Sequence, residues 1–126
     1  MAMIDSYNIL GFAKAVPTAT ASTDAAIINI PCKAYVIKGV TCYNASGNNA
    51  TATLSVRGSA GGSGTTIVAD AALTTHTAAN VVSERTVAAT GVTPQVTDDN
   101  LYVRVGTASG VAGSTIDVVI YGYELP

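Results

Sequence analysis

The chain has few of the side chains that carry chemistry and few of the large ones that fill a core. Its 126 residues include no Trp, one Phe (Phe12), two Met, two Cys and one His. Two Cys and one His at these spacings match no zinc pattern. His76 lies between Thr75 and Thr77, with no Asp, Glu or Cys close in sequence to orient it as a base, so it reads as a solvated loop residue. No G-x-S-x-G elbow occurs, and Gly58, Gly61, Gly62 and Gly64 are not followed by the Lys that a phosphate loop needs. No carboxylate pair, triad or metal set stands out, so the reading is of a protein that is not an enzyme and takes no cofactor. Six Lys or Arg are spread along a chain of net charge −2, which disfavours nucleic acid and a basic membrane patch. No run approaches the roughly 18 apolar residues of a membrane span. The start, MAMIDSYNILGFAKAV, lacks the pattern of a signal peptide, because Asp5 precedes any Lys and no sustained apolar stretch follows. Synthesis in a cytoplasm is therefore expected, with Cys32 and Cys42 as free thiols. Cys42 is in register with Val36 and Val40 and reads as a small buried hydrophobe.

What the chain does have is alternation. In Leu101–Tyr123 (LYVRVGTASGVAGSTIDVVIYGY), Leu101, Val103 and Val105 fall on one face of a first run, and Ile116, Val118 and Ile120 on one face of a second. Period-two spacing of β-branched residues is what half-buried antiparallel strands require. Further candidate strands are 8–16, 25–30, 34–43, 51–57, 65–69, 81–88 and 92–96. No stretch has convincing helical periodicity, and the Thr content of 69–79 argues against a helix there. The Gly- and Asn-bearing stretch 44–49 is expected to close a hairpin between 34–43 and 51–57, and 58–64 (GSAGGSG) to be a hairpin tip. Thr90-Gly91 and 98–100 read as turns. Pro31 and Pro94 belong at strand ends. Many short strands with no helix between them predict an all-β antiparallel sandwich, a jelly roll of about eight strands. The organisation expected is a single domain, with 1–24 as an N-terminal strand or arm and 25–126 as the sandwich. Hydrophobic content is 48%, but much of it is Ala. Burial contributes about 25 cal/mol per Å² of apolar area, so contact between subunits is expected to supplement a thin core.

Asp98-Asp99-Asn100 holds clustered oxygens that a Ca²⁺ site uses, with Asp70 or Asp117 as possible further ligands in space; a turn bonded to its own backbone is the favoured reading. The sequons at Asn44 and Asn49 read as chance matches. Tyr102 and Arg104 alternate with the apolar face of the first run. Tyr121 and Tyr123 share a face of the second, and Tyr102 is expected beside them across the hairpin. Tyr combines an apolar body with a polar tip, which suits a subunit interface or a sugar platform. The absence of Trp favours the interface, with Tyr102, Arg104, Tyr121, Tyr123 and Phe12 as its residues.

The terminal stretch LYVRVGTASGVAGSTIDVVIYGYELP, in a chain rich in Ala, Thr, Gly and Val, resembles the small jelly-roll cement or decoration proteins on the heads of tailed bacteriophages. The resemblance covers about a fifth of the chain and rests on no diagnostic motif. It implies a homotrimer on the capsid surface that bridges major capsid subunits, with 1–24 as the counterpart of an arm. The alternative is a receptor- or carbohydrate-binding β-sandwich of a phage fibre, spike or baseplate. Val103→Asp or Val118→Asp is expected to abolish folding, by burying an unpaired charge. Tyr121→Ala is expected to weaken assembly and keep the β content. Far-UV circular dichroism and light scattering separate the two outcomes.

Overall fold

The computed structural model describes residues 8–95 and 98–125. Eight strands follow one another: β1 (Asn8–Pro17), β2 (Thr23–Asn29), β3 (Tyr35–Tyr43), β4 (Thr53–Ser59), β5 (Ser63–Ala72), β6 (Val82–Arg85), β7 (Asn100–Val105) and β8 (Thr115–Glu124). They form two four-stranded antiparallel sheets, ordered β1-β8-β3-β6 and β2-β7-β4-β5. The pairing is nested: β1 with β8, β2 with β7, β3 with β6 and β4 with β5. The chain is thus one long antiparallel hairpin, turned at Ala60–Gly62 and rolled so that β8 also pairs with β3 and β7 with β4. This is the jelly-roll winding, and the all-β sandwich read from the sequence is the observed fold.

The core lies between the sheets. Leu101, Val103 and Val105 from β7 face Ile116, Val118 and Ile120 from β8 across it, all buried, with Leu54, Val56, Val40 and Ile37 around them. The period-two faces therefore meet as expected, but across the sandwich and not within one sheet. β7 and β8 are no hairpin. The 106–114 connection carries the chain from one sheet to the other, and so does 44–52, which was expected to close a hairpin between β3 and β4. Alternation fixes which face a side chain takes and leaves the choice of neighbour open. Only β4 and β5 are consecutive within one sheet, and their tip is the glycine-rich 58–64 stretch.

Two further expectations are corrected. Residues 92–95 form no strand: a 3-10 turn at Ala89–Gly91 and Pro94 interrupt the run, and Gln95 makes a single bridge to Tyr35. Residues 96–97 of that candidate lie outside those described. The 81–88 candidate shrinks to β6, after which Ala88 N–H leaves for the carbonyl of Ile67 on β5 (2.8 Å). The 8–17 part of the N-terminal segment is an edge strand of the sandwich, with Leu10 and Val16 in the core. Residues 18–24 of the expected arm lead into β2, with Thr18 buried, and residues 1–7 are outside those described.

β1 is bent by two register shifts against β8, one between Ile9 and Gly11 and one between Ala13 and Val16. At the second, Ala15 takes φ 53°, a left-handed conformation unfavourable to a residue with a Cβ. Asp117 holds it there. Its Oδ1 accepts the Ala15 N–H (2.8 Å), and its Oδ2 accepts from Asn44 Nδ2 (3.0 Å) and lies 3.8 Å from Lys14 Nζ. Burial raises the pKa of this carboxyl, but the two hydrogen bonds and the Lys14 charge outweigh it, and the net shift is downward from 3.8.

The connections β1–β2, β3–β4, β5–β6 and β7–β8 gather at one end around Asn49, which is fully buried. Its Oδ1 accepts from Thr18 Oγ1 (2.5 Å) and Ser114 Oγ (2.8 Å), and its Nδ2 donates to the Thr115 carbonyl (3.0 Å). Its backbone N–H donates to the His76 carbonyl (2.8 Å). Asn49→Ala removes three side-chain hydrogen bonds, at about 0.5–1.5 kcal/mol each, while Thr18 and Ser114 keep each other and the Thr115 carbonyl keeps the Ser46 N–H. The expected outcome is a fall in melting temperature of roughly 10 °C with the β spectrum retained, read by thermal denaturation.

Candidate functional site

The two outer faces of the sandwich differ in chemistry. On β1-β8-β3-β6, one outward row runs Phe12–Val119–Thr41–Glu84 and the next begins Ile9–Tyr121–Gly39. Ile9 is 67% exposed, Phe12 58% and Val82, on β6, 69%. Tyr121 lies flat on β3: a Cβ at Gly39 would collide with its ring, so the missing side chain is the seat of the tyrosine. Lys38 Nζ lies 5.6 Å from the centre of the Tyr123 ring, a cation–π contact. This face is apolar and aromatic, and its Lys14 and Lys38 both have counterparts within the chain.

The outer face of β2-β7-β4-β5 is more polar, although its row Ile27–Tyr102–Arg57 includes Ile27, 60% exposed. Arg104 Nη1 donates to Asp24 Oδ1 (3.2 Å) and Nη2 to the Ser22 carbonyl (3.2 Å), while Asp24 Oδ2 accepts the Gly61 N–H (2.8 Å). Asp24, itself held by Arg104, thus ties the β4–β5 tip to β2. Arg57 Nη1 donates to Thr66 Oγ1 (2.7 Å) beside Tyr102. The five residues expected at one interface are therefore divided. Phe12, Tyr121 and Tyr123 share one outer face, and Tyr102 and Arg104 lie on the opposite one. The cause is the crossover at 106–114, which puts β7 and β8 in different sheets.

Next to the β5 edge is a polar cleft of about 510 Å³, lined by Gly64, Thr65, Thr66, Thr90, Thr93, Pro94, Gln95 and Asp98. Gln95 Nε2 is committed to the Thr90 and Thr93 carbonyls (3.0 and 2.6 Å). The 98–100 segment is a bend leading into β7 and bonds to distant strands, not to its own backbone: the Asp98 carbonyl accepts from Tyr35 Oη (2.6 Å) and the Asp99 carbonyl from Ile30 N–H (2.8 Å). Asp70 accepts from Thr53 Oγ1 and Asp117 is bound to β1, so neither joins Asp98. Among the described residues no group of three His, Cys, Asp or Glu is placed to hold a metal ion, and no helix is long and apolar enough to cross a membrane.

His76 is not solvated. It is fully buried, with Nε2 2.5 Å from Ser83 Oγ and Nδ1 without a hydrogen-bond partner among the described residues. Its neighbour Arg85 bonds the Ala72 carbonyl (2.9 Å) and Ser83 Oγ (3.4 Å). Both cysteines are free thiols, and burial pushes buried Cys42 up to about 11. His76, Asn49 and Thr18 look like ordinary loop polars in the sequence, because their burial depends on loops converging from distant parts of the chain.

Comparison with protein-family models, with curated proteins and with solved structures finds no match.

Burial, and then the Arg85 charge, lower the His76 pKa from 6.5. The unfolded chain therefore takes up a proton at higher pH than the folded one. The stability this gives is full above 6.5 and is lost as pH falls toward the folded-state value. The urea midpoint is expected to drop between about pH 7 and pH 5. In His76→Gln, which keeps a donor to Ser83, that drop is expected to disappear.

Proposed function

We propose that the protein is a structural component of a virion, a decoration protein that sits on the capsid surface of a tailed bacteriophage as a homotrimer and bridges major capsid subunits. The observation that carries this reading is the contrast between the outer faces. One exposes Ile9, Phe12 and Val82, whereas the other exposes Ile27 and holds Arg57, Arg104 and Asp24 in hydrogen bonds. A jelly roll with one apolar face is suited to packing against protein. The low charge supports contacts that need little desolvation, and the terminal strand pair carries the likeness to decoration proteins. Many copies on one shell allow each contact to be weak. Synthesis in the host cytoplasm fits assembly there.

The second reading, a carbohydrate- or receptor-binding module of a fibre, spike or baseplate, is favoured by one feature, the threonine-lined cleft beside Gln95 and Asp98. Purified protein mixed with expanded heads that lack it is expected to bind to a fixed stoichiometry and to raise their resistance to heat. Absence of head binding, together with glycan binding that Thr66→Ala abolishes, would replace the first reading by the second.

A further inference from the structure

The sheet orders place β1 and β2 along one side of the sandwich and β5 and β6 along the other. β1 and β2 are in contact, and β5 is bridged to the segment after β6 through Val68 and Val87. The β1 side carries a knob and the β5–β6 side a groove. The knob is Phe12 with Ile9, both more than half exposed. The groove, about 310 Å³, is lined by Val68, Ala69, Ala71 and Ala88 together with the polar Glu84, Arg85 and Thr86. A cavity of roughly 150 Å³ holds a benzene ring, so the groove has room for the Phe12 ring and part of Ile9.

We infer that the β5–β6 groove receives Phe12 of a second copy of this chain, joining copies head to tail. Three observations on the two sides favour a second copy over an unrelated partner. The first is charge: the β1 side carries Lys14, largely exposed although paired with Asp117, and the groove side carries the exposed Glu84 next to Arg85. The second is height. Phe12 and Glu84 lie in one row across the sheet, so rotation about an axis parallel to the strands brings Phe12 to the level of the next copy's groove. The third is chemistry. Arg85 Nε is buried without a hydrogen-bond partner among the described residues, and a guanidinium beside an aromatic ring gains a cation–π contact. The two register shifts of β1 against β8 bend this edge strand and make its free edge a poor template for backbone pairing, so side chains make the contact. Unlike surfaces joined by rotation close into a ring when the rotation divides the circle evenly, the case inferred for this chain. The inference rests on the assembly reading above and assigns the surfaces through which copies meet.

The test is the solution mass of the full chain by light scattering at about 100 μM, which populates contacts of micromolar affinity. Wild type is expected as a closed oligomer. Phe12→Asp is expected to weaken association by about tenfold or more with its circular dichroism unchanged. Ile27→Asp, on the outer face of the other sheet, is expected to leave the mass unchanged. A Lys14→Cys, Glu84→Cys double variant, which keeps Phe12, treated with oxidised glutathione is expected to give a covalent ladder on a non-reducing gel that neither single variant nor wild type gives. A monomeric wild type, an oligomer unaffected by Phe12→Asp, or a double variant without the ladder overturns the inference. Head binding distinguishes this from the reading beneath it. Rings that ignore heads remove the decoration role alone, and a monomer that binds heads removes the knob and groove alone.

Discussion

The amide of Asn49 is the point on which the winding depends. A jelly roll sends nearly every connection from one sheet to the other, and each crossing takes backbone N–H and C=O groups out of a ladder at the edge of an apolar core. Those groups need partners. Four crossings meet at Asn49, which supplies two donors and two acceptors to chain segments as far apart as Thr18 and Ser114. Ser114 Oγ extends the network to Ser109 Oγ (2.8 Å), and Thr18 N–H reaches the Ser114 carbonyl (3.1 Å). In a low-dielectric interior such a network is strong when complete and costly when broken. It fixes where β1 ends and β8 begins, and with them the register of the central strands.

Much of the fold was legible in the sequence because the period-two signal is local. Val103 and Val118 announce their faces by their own neighbours in the chain. Which strand lies alongside is a global property, and there local reading went wrong. Turn residues at 44–49 and small residues at 106–114 suit hairpin loops, yet both segments carry the chain from one sheet to the other. The one hairpin between consecutive strands turns at Ala60–Gly62, the tightest of the connections and the one with two adjacent glycines at positive φ. Short span and positive φ together mark a turn within a sheet better than either does alone.

The same distinction explains the candidate site. Phe12, Tyr121 and Tyr123 were found by type and parity, and they do share a face. Tyr102 and Arg104 were joined to them only through the hairpin that does not exist. Arg104 instead neutralises Asp24, which braces the β4–β5 tip. Tyr121 covers the bare backbone of Gly39, a pairing that only the register of β3 against β8 makes visible. His76 shows the limit most plainly, since Thr-flanked polarity suggested water while tertiary contacts enclosed it.

Edge strands expose unpaired backbone, and a sandwich with four of them must prevent indiscriminate pairing. β1 does so with bulges, and Asp117 stabilises the one at Ala15. Bulging also turns the strand so that Ile9 and Phe12 stand clear of the surface. A strand protected from backbone association is left with its side chains as the means of specific contact. Backbone pairing is tolerant of sequence and can continue indefinitely, whereas a ring seated in a groove fixes distance and angle and so allows closure. In the proposed assembly the carboxylate of Asp117 therefore has a role beyond stability. It suppresses one mode of association at the edge where it presents another.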